Sequence, residues 1–222
     1  MKKNFTTKIF ASIKRGNECV ITPHFAIRHS IVLLFSFILL LPTAAFSQSW
    51  IWAKSAGGSN RDMGYNITTD ATGNVFVTGS FESSSVTFGT TTLTNAHADS
   101  ADIFLVKYDP SGNVLWAKSA GGSASDIGNS VTTDATGNVF VTGYFKSSTI
   151  TFGTYTLTNS GDGDIFLVKY DPSGNVLWAK SAGGSASDIG NSVTTDATGN
   201  VFITGYFESS SITFGTYTLT NA

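Results

Sequence analysis

A seven-residue string, Trp-Ala-Lys-Ser-Ala-Gly-Gly, occurs three times in this 222-residue chain, beginning at Trp52, Trp116 and Trp178. The spacings are 64 and 62 residues. Residues 116–159 align without a gap on 178–221 and differ only at Val141/Ile203, Lys146/Glu208 and Thr149/Ser211, while 52–95 differ from 116–159 at eleven positions. A fixed long period demands a repeat architecture, in which each unit buries its faces on its neighbours. The two-residue change in period falls between Asn95 and Asp102, against Asn159 and Asp164. Such a change predicts a surface loop, and the Lys146/Glu208 charge reversal predicts an exposed position.

Within each unit the pattern is β throughout. Thr supplies 26 of the 175 residues from position 48 onward, Val, Ile and Phe are common, and no stretch has helical apolar spacing. Five copies of one turn punctuate the chain: Asp70 to Gly73, Asp109 to Gly112, Asp134 to Gly137, Asp171 to Gly174 and Asp196 to Gly199. The Asp accepts hydrogen bonds from turn amides. Ala or Pro and then Thr or Ser fill a type I centre, and Gly takes the left-handed conformation that closes the hairpin.

Each turn joins two strands. In the middle unit 130–134 pairs with 138–145, 164–171 with 175–181, and 149–153 with 155–159 as a short extra hairpin. Val139-Phe140-Val141 and Ile165-Phe166-Leu167-Val168 are apolar on both alternating faces, as in strands covered on both sides. Four-stranded antiparallel sheets stacked face to face around an axis meet that demand. The expected fold is all-β: β-propeller blades of four strands plus a short hairpin, in an incomplete ring. The alternative is an open β array.

The order D-I-F-L-V-K-Y-D-P-S-G-N-V-L-W-A-K-S-A-G-G, then S-D-I-G, then T-T-D-A-T-G-N-V-F-V-T-G resembles the bacterial β-propeller repeat family SBBP, over essentially all of 50–222. The resemblance implies a propeller fold and an exported protein, often a large multidomain one. It carries no agreed catalytic residue set. Against its pattern, 50–55 is the last strand of a partial blade, 64–119 and 126–181 are complete blades and 188–222 is a truncated one. Closed propellers have about 4–8 blades, so the chain reads as a fragment whose ring needs further blades of a longer protein.

The leader differs from the body. Residues 1–47 hold six Lys/Arg and one Glu, whereas 48–222 hold seven Lys/Arg and fourteen Asp/Glu. Ile31 to Leu41 is an apolar run ended by Pro42, with Ala45 and Ser47 placed for cleavage after Ser47. That is a signal-peptide pattern with a long n-region, and the run is too short to span a membrane. The expected location is secreted or at a bacterial cell surface, with no transmembrane span after cleavage. The acidic body argues against nucleic acid as a partner. Cys19, the single cysteine, lies in the leader, so the body forms neither a disulfide nor a thiolate metal site.

Candidate chemistry is sparse. Asp99, Asp102, Asp162 and Asp164 offer oxygen donors of the kind calcium takes, without a regular ligand spacing; a solvated acidic loop is the competing reading, and no other cofactor is expected. Asp62, Asp126 and Asp188 recur before Met/Ile-Gly and read as turn caps rather than a carboxylate ring. Glu82 and Glu208 are interrupted by Lys146, which argues against a hydrolase pair. His97 has no nucleophile motif beside it. Trp52, Trp116 and Trp178 recur inside strands and read as blade packing, and the Gly57-Gly58 pairs as bends between blades. Tyr144 and Tyr206 replace Ser80, Tyr155 and Tyr217 replace Thr91, and these four are the expected ligand-binding residues. Near-identical units leave little asymmetry for an active site. The expectation is a non-catalytic exported scaffold binding protein or glycan; the alternative is the propeller part of an extracellular hydrolase or lyase with its chemistry elsewhere.

Overall fold

The computed structural model describes residues 8–14, 49–97 and 99–221, and every regular element among them is a strand. The apolar run Ile31–Leu41 and the cleavage point after Ser47 lie outside the described residues. Strand β1 (Lys8–Lys14) pairs antiparallel with β2 (Ser49–Ala56). The first unit then runs β3 (Asp62–Thr69), β4 (Val75–Phe81), β5 (Ser85–Phe88), β6 (Thr91–Thr94), β7 (Asp102–Tyr108) and β8 (Val114–Ala120). The second repeats it as β9 (Asp126–Thr133), β10 (Val139–Phe145), β11 (Thr149–Phe152), β12 (Tyr155–Thr158), β13 (Asp164–Tyr170) and β14 (Val176–Ala182). A third provides β15 (Asp188–Thr195), β16 (Val201–Phe207), β17 (Ser211–Phe214) and β18 (Tyr217–Thr220).

The expected blades are present. Strand orders β3-β4-β7-β8 and β9-β10-β13-β14 are two four-stranded antiparallel sheets, and β5-β6 and β11-β12 are separate hairpins. In the second blade Val141 stands opposite both Val131 and Val168. The first strand starts at Asp126 rather than at 130. A bulge at Asn129, between the Ser130–Thr142 and Gly128–Gly143 pairs, carries pairing through a Gly-Asn segment that has little strand propensity. Among the described residues the blades form an incomplete propeller, with no closed ring. Strand β2, which holds the segment 50–55, has β1 along one edge and lies against β5 of the first blade.

Why the blades stack follows from burial. All seven residues of β4 and all seven of β7 are buried. One apolar layer contains Trp52, Val77, Phe81, Val86, Phe88 and Phe104. The next joins Phe76, Ile103 and Leu105 of the first blade to Val131, Val141, Phe152 and Phe166 of the second. Inner strands β3, β9 and β15 pack directly on neighbouring blades. The Val131 amide donates to Asn66 Oδ1 at 2.9 Å, and the Val193 amide to Ser130 Oγ at 3.2 Å. Farther out the sheets are held apart by the short hairpins. Strand β11 touches β8 and β12 touches β14, so the hairpin fills the gap between outer strands.

All five Asp turns share one geometry. At Asp70 the backbone carbonyl accepts from the Gly73 amide at 3.0 Å, Oδ1 accepts from Thr72 and Asn74 amides, and Oδ2 accepts from Asn74 Nδ2. The closing glycines have φ between 81° and 88°. These turns lie at one end of the sheets, the turn end. The Gly-Gly bends, hairpin roots and variable loop lie at the other, the loop end.

Candidate functional site

At the loop end the recurrent Asp62, Asp126 and Asp188 are buried clamps rather than a carboxylate ring. Asp126 Oδ1 accepts from the Lys146 and Ser147 amides at 3.0 and 3.1 Å, and Oδ2 from Ser147 Oγ at 2.7 Å. Asp188 makes the same contacts with Glu208 and Ser209, and Asp62 holds Ser83. Burial pushes the Asp126 carboxyl above the ordinary range despite these bonds. Each clamp ties the first strand of a blade to the root of its hairpin.

The four acids proposed for calcium do not converge. Asp102 and Asp164 open β7 and β13 and are buried, whereas Asp99 and Asp162 are exposed. Among the described residues no three His, Cys, Asp or Glu side chains are grouped to hold a metal. Asp102 Oδ2 accepts from the Ala96 amide at 2.6 Å and Asp164 Oδ2 from the Ser160 amide at 3.0 Å, while neither Oδ1 has a hydrogen-bond partner among the described residues. Burial pushes Asp102 up to about 6. Both carboxylates serve to fold the variable loop back on the sheet. Each opens a strand whose residues are all buried or half-buried, which a surface reading of these acids misses.

The tyrosines divide. Tyr155 and Tyr217 lie on the hairpins, and Tyr155 Oη donates to the Leu177 carbonyl at 2.6 Å. Tyr217 is 77% exposed. Tyr144 is half-buried at the loop end, its hydroxyl held above the ordinary phenol range by burial and by the nearby Tyr65, Tyr206 and Asp126. Ser80, the equivalent of Tyr144, is itself buried, so this position is not simple surface variation. Tyr65 was not singled out from sequence; its signal is that it stands where the other units have Asn129 and Asn191.

Tyr144 forms one wall of an open cleft of about 670 Å³ between the first and second blades, with His97, Asp99, Ser123, Ser125 and Lys146 around it. Its rim is held from within. Asn95 Nδ2 donates to the Phe81 and Ser100 carbonyls at 3.0 and 2.9 Å, and the His97 amide donates to Asn95 Oδ1 at 2.9 Å. The tryptophans take no part in it. Trp52 Nε1 donates to the Pro110 carbonyl and Trp116 Nε1 to the Pro172 carbonyl, both at 3.2 Å, so they join blade to blade. Glu82, Lys146 and Glu208 follow β4, β10 and β16 of three successive blades and form no ion pair among the described residues.

Three stretches of the chain, residues 51–80, 116–144 and 178–206, match the SBBP beta-propeller repeat. Over 161 residues the chain is also 30% identical to an uncharacterized WD repeat-containing protein, L264, of Acanthamoeba polyphaga mimivirus. That alignment covers 67% of this chain and 12% of the viral protein, so the chain spans a small part of that relative's length.

Proposed function

Taking the chain as a run of SBBP beta-propeller repeats, we propose that it is a non-catalytic binding module, exported to the outside or surface of a bacterial cell, whose loop end engages a protein or glycan. One observation carries this reading: the recurrent acids are consumed by structure. The turn aspartates close hairpins, and Asp62, Asp126 and Asp188 clamp hairpin roots. A general acid or base needs a carboxyl aimed at open space beside a partner, and these point into the fold. The basic leader with its apolar run supports export, and the acidic body speaks against nucleic acid. In this reading further blades of a longer polypeptide cover the open side of the third unit.

The test has two arms. Expression in a bacterial host with fractionation and N-terminal sequencing should place the protein outside the cytoplasm, starting at Gln48. Incubation with common glycans and peptides should give saturable retention without product. Turnover abolished by one acidic substitution would instead favour a hydrolase or lyase.

A further inference from the structure

Three near-copies of one unit would by themselves build equivalent clefts between blades, and this chain does not. Between the first and second units Thr91/Tyr155 lies on the hairpin, while five of the differences gather at the loop end: Asn60/Ala124, Arg61/Ser125, Tyr65/Asn129, Ser80/Tyr144 and Glu82/Lys146. The variable loop before β7, two residues longer than its counterpart, lies there too. The cleft between the first two blades therefore combines Tyr144 and Lys146 with His97 and Asp99 of the longer loop. The next gap has Tyr206 with Glu208 and the shorter loop Gly161-Asp162-Gly163, so an acid stands where the first has Lys146 and the loop offers no imidazole.

The lining indicates the ligand. A cleft for a lipid or an apolar peptide needs predominantly apolar walls, and here the one large apolar surface is the ring of Tyr144. Around it stand the hydroxyls of Ser123 and Ser125, the Asp99 carboxylate and an exposed ammonium at Lys146. That ammonium takes part in neither of the two ion pairs found among the described residues. A flat aromatic face beside hydroxyls and a carboxylate suits a sugar, whose C–H face stacks while its hydroxyls donate and accept. The unpaired ammonium adds a place for a negative charge. The Asn95-braced rim means little ordering is required on binding.

We infer that the cleft between the first and second blades is a subsite for an anionic saccharide, its ring on Tyr144 and its carboxylate on Lys146. This rests on the binding-module reading above.

The test is titration calorimetry of the protein with penta-galacturonate and, in parallel, with cellopentaose. Penta-galacturonate should bind more tightly than cellopentaose and weaken as salt rises. Tyr144→Ser, the residue the first unit has at position 80, should lower its affinity at least ten-fold without changing the melting temperature. Lys146→Glu, the residue of the other two units, should do the same for the anionic sugar alone. Thr218→Ala, on the exposed hairpin of the third unit, should leave binding unchanged. Binding of neither saccharide, equal binding by Tyr144→Ser, or preference for cellopentaose overturns the subsite. Shortened sugars appearing in the cell, with binding still dependent on Tyr144, would instead overturn the non-catalytic reading and leave the subsite standing.

Discussion

The indole of Trp52 rests on Gly112: a β-carbon at Gly112 would stand 2.8 Å from the ring, and Nε1 donates to the Pro110 carbonyl at 3.2 Å. Trp116 and Gly174 repeat the relationship one unit later, at 3.0 Å. Trp52 and Trp116 are thus each seated on the Asp-Pro-Ser-Gly turn of the following unit. Sequence alone assigns those glycines to turn closure, and the structure gives them a second duty.

That double duty separates two glycines of equal backbone geometry. Gly73 and Gly112 have φ of 83° and 82°, but the nearest atom to a β-carbon at Gly73 is a Pro110 ring carbon at 3.5 Å. Gly73→Ala should cost only the left-handed penalty, about 1–2 kcal/mol. Gly112→Ala should add an overpacking cost of about 1–3 kcal/mol. Urea unfolding of both variants measures the difference, and equal losses would mean the indole is not seated there.

The Asp126 clamp gives a graded series. Ser147→Ala removes one hydrogen bond from a carboxylate that keeps two amide donors, and should cost about 1–2 kcal/mol. Asp126→Ala leaves the Ser147 amide without an acceptor in a buried site and removes two further bonds, from the Lys146 amide and the Ser147 hydroxyl, which keep the Ser125 and Ala124 carbonyls, and should cost about 3 kcal/mol. A smaller loss for the aspartate than for the serine would contradict the clamp.

Stability should depend on pH in two opposed ways. Burial raises Asp102 from 3.8 to about 6, so the folded state binds this proton more tightly than the unfolded one. Its ionisation therefore lowers stability as pH rises from about 4 to 6, and the penalty is complete above that. Asp196 is held down to about 2 by hydrogen bonds from Asn200 and Thr198. Its contribution is present above pH 4 and is lost as pH falls toward 2. Melting temperature against pH should show both limbs, and Asp102→Asn should reduce only the upper one, to which buried Asp126 and Asp164 also contribute. An unchanged upper limb in that variant would remove Asp102 as a source.

One phenylalanine occurs at three depths. Phe76, Phe140 and Phe202 occupy the same position of successive units and are 0%, 1% and 54% exposed. Phe140→Ala should cost about 3–5 kcal/mol, the usual range for a buried ring, whereas Phe202→Ala should cost well under half of that. Amide exchange should follow the same gradient, with β10 protected far longer than β16, which among the described residues pairs with β15 alone. Equal protection would show that something covers β16.

The repeat period, the Asp turns and the two-sided apolar strands made the blades legible, because each is a local pattern with one geometric solution. The pairing of β1 with β2 was not, because β1 lies in the basic leader, whose composition points to export and says nothing of strand pairing. Nor was the inward aim of Asp102, since a carboxylate beside a variable loop looks solvated until the strand it opens is known to be covered. Of the candidate site, Tyr144 and Lys146 were visible as differences between units. The inter-blade cleft that joins them to His97 and Asp99 depends on stacking, which no single unit specifies.

The outer hairpins have a geometric consequence beyond filling space. Strands touching at their inner edges and spaced by a constant hairpin at their outer edges fan by the same increment from one sheet to the next. Curvature is then set by the thickness of Thr151–Thr156 and its equivalents, and not by any residue on the inner strands. Slimming that spacer, for instance with Ile150→Ala, would straighten the fan, and adding or removing whole units would change its arc length without altering its radius.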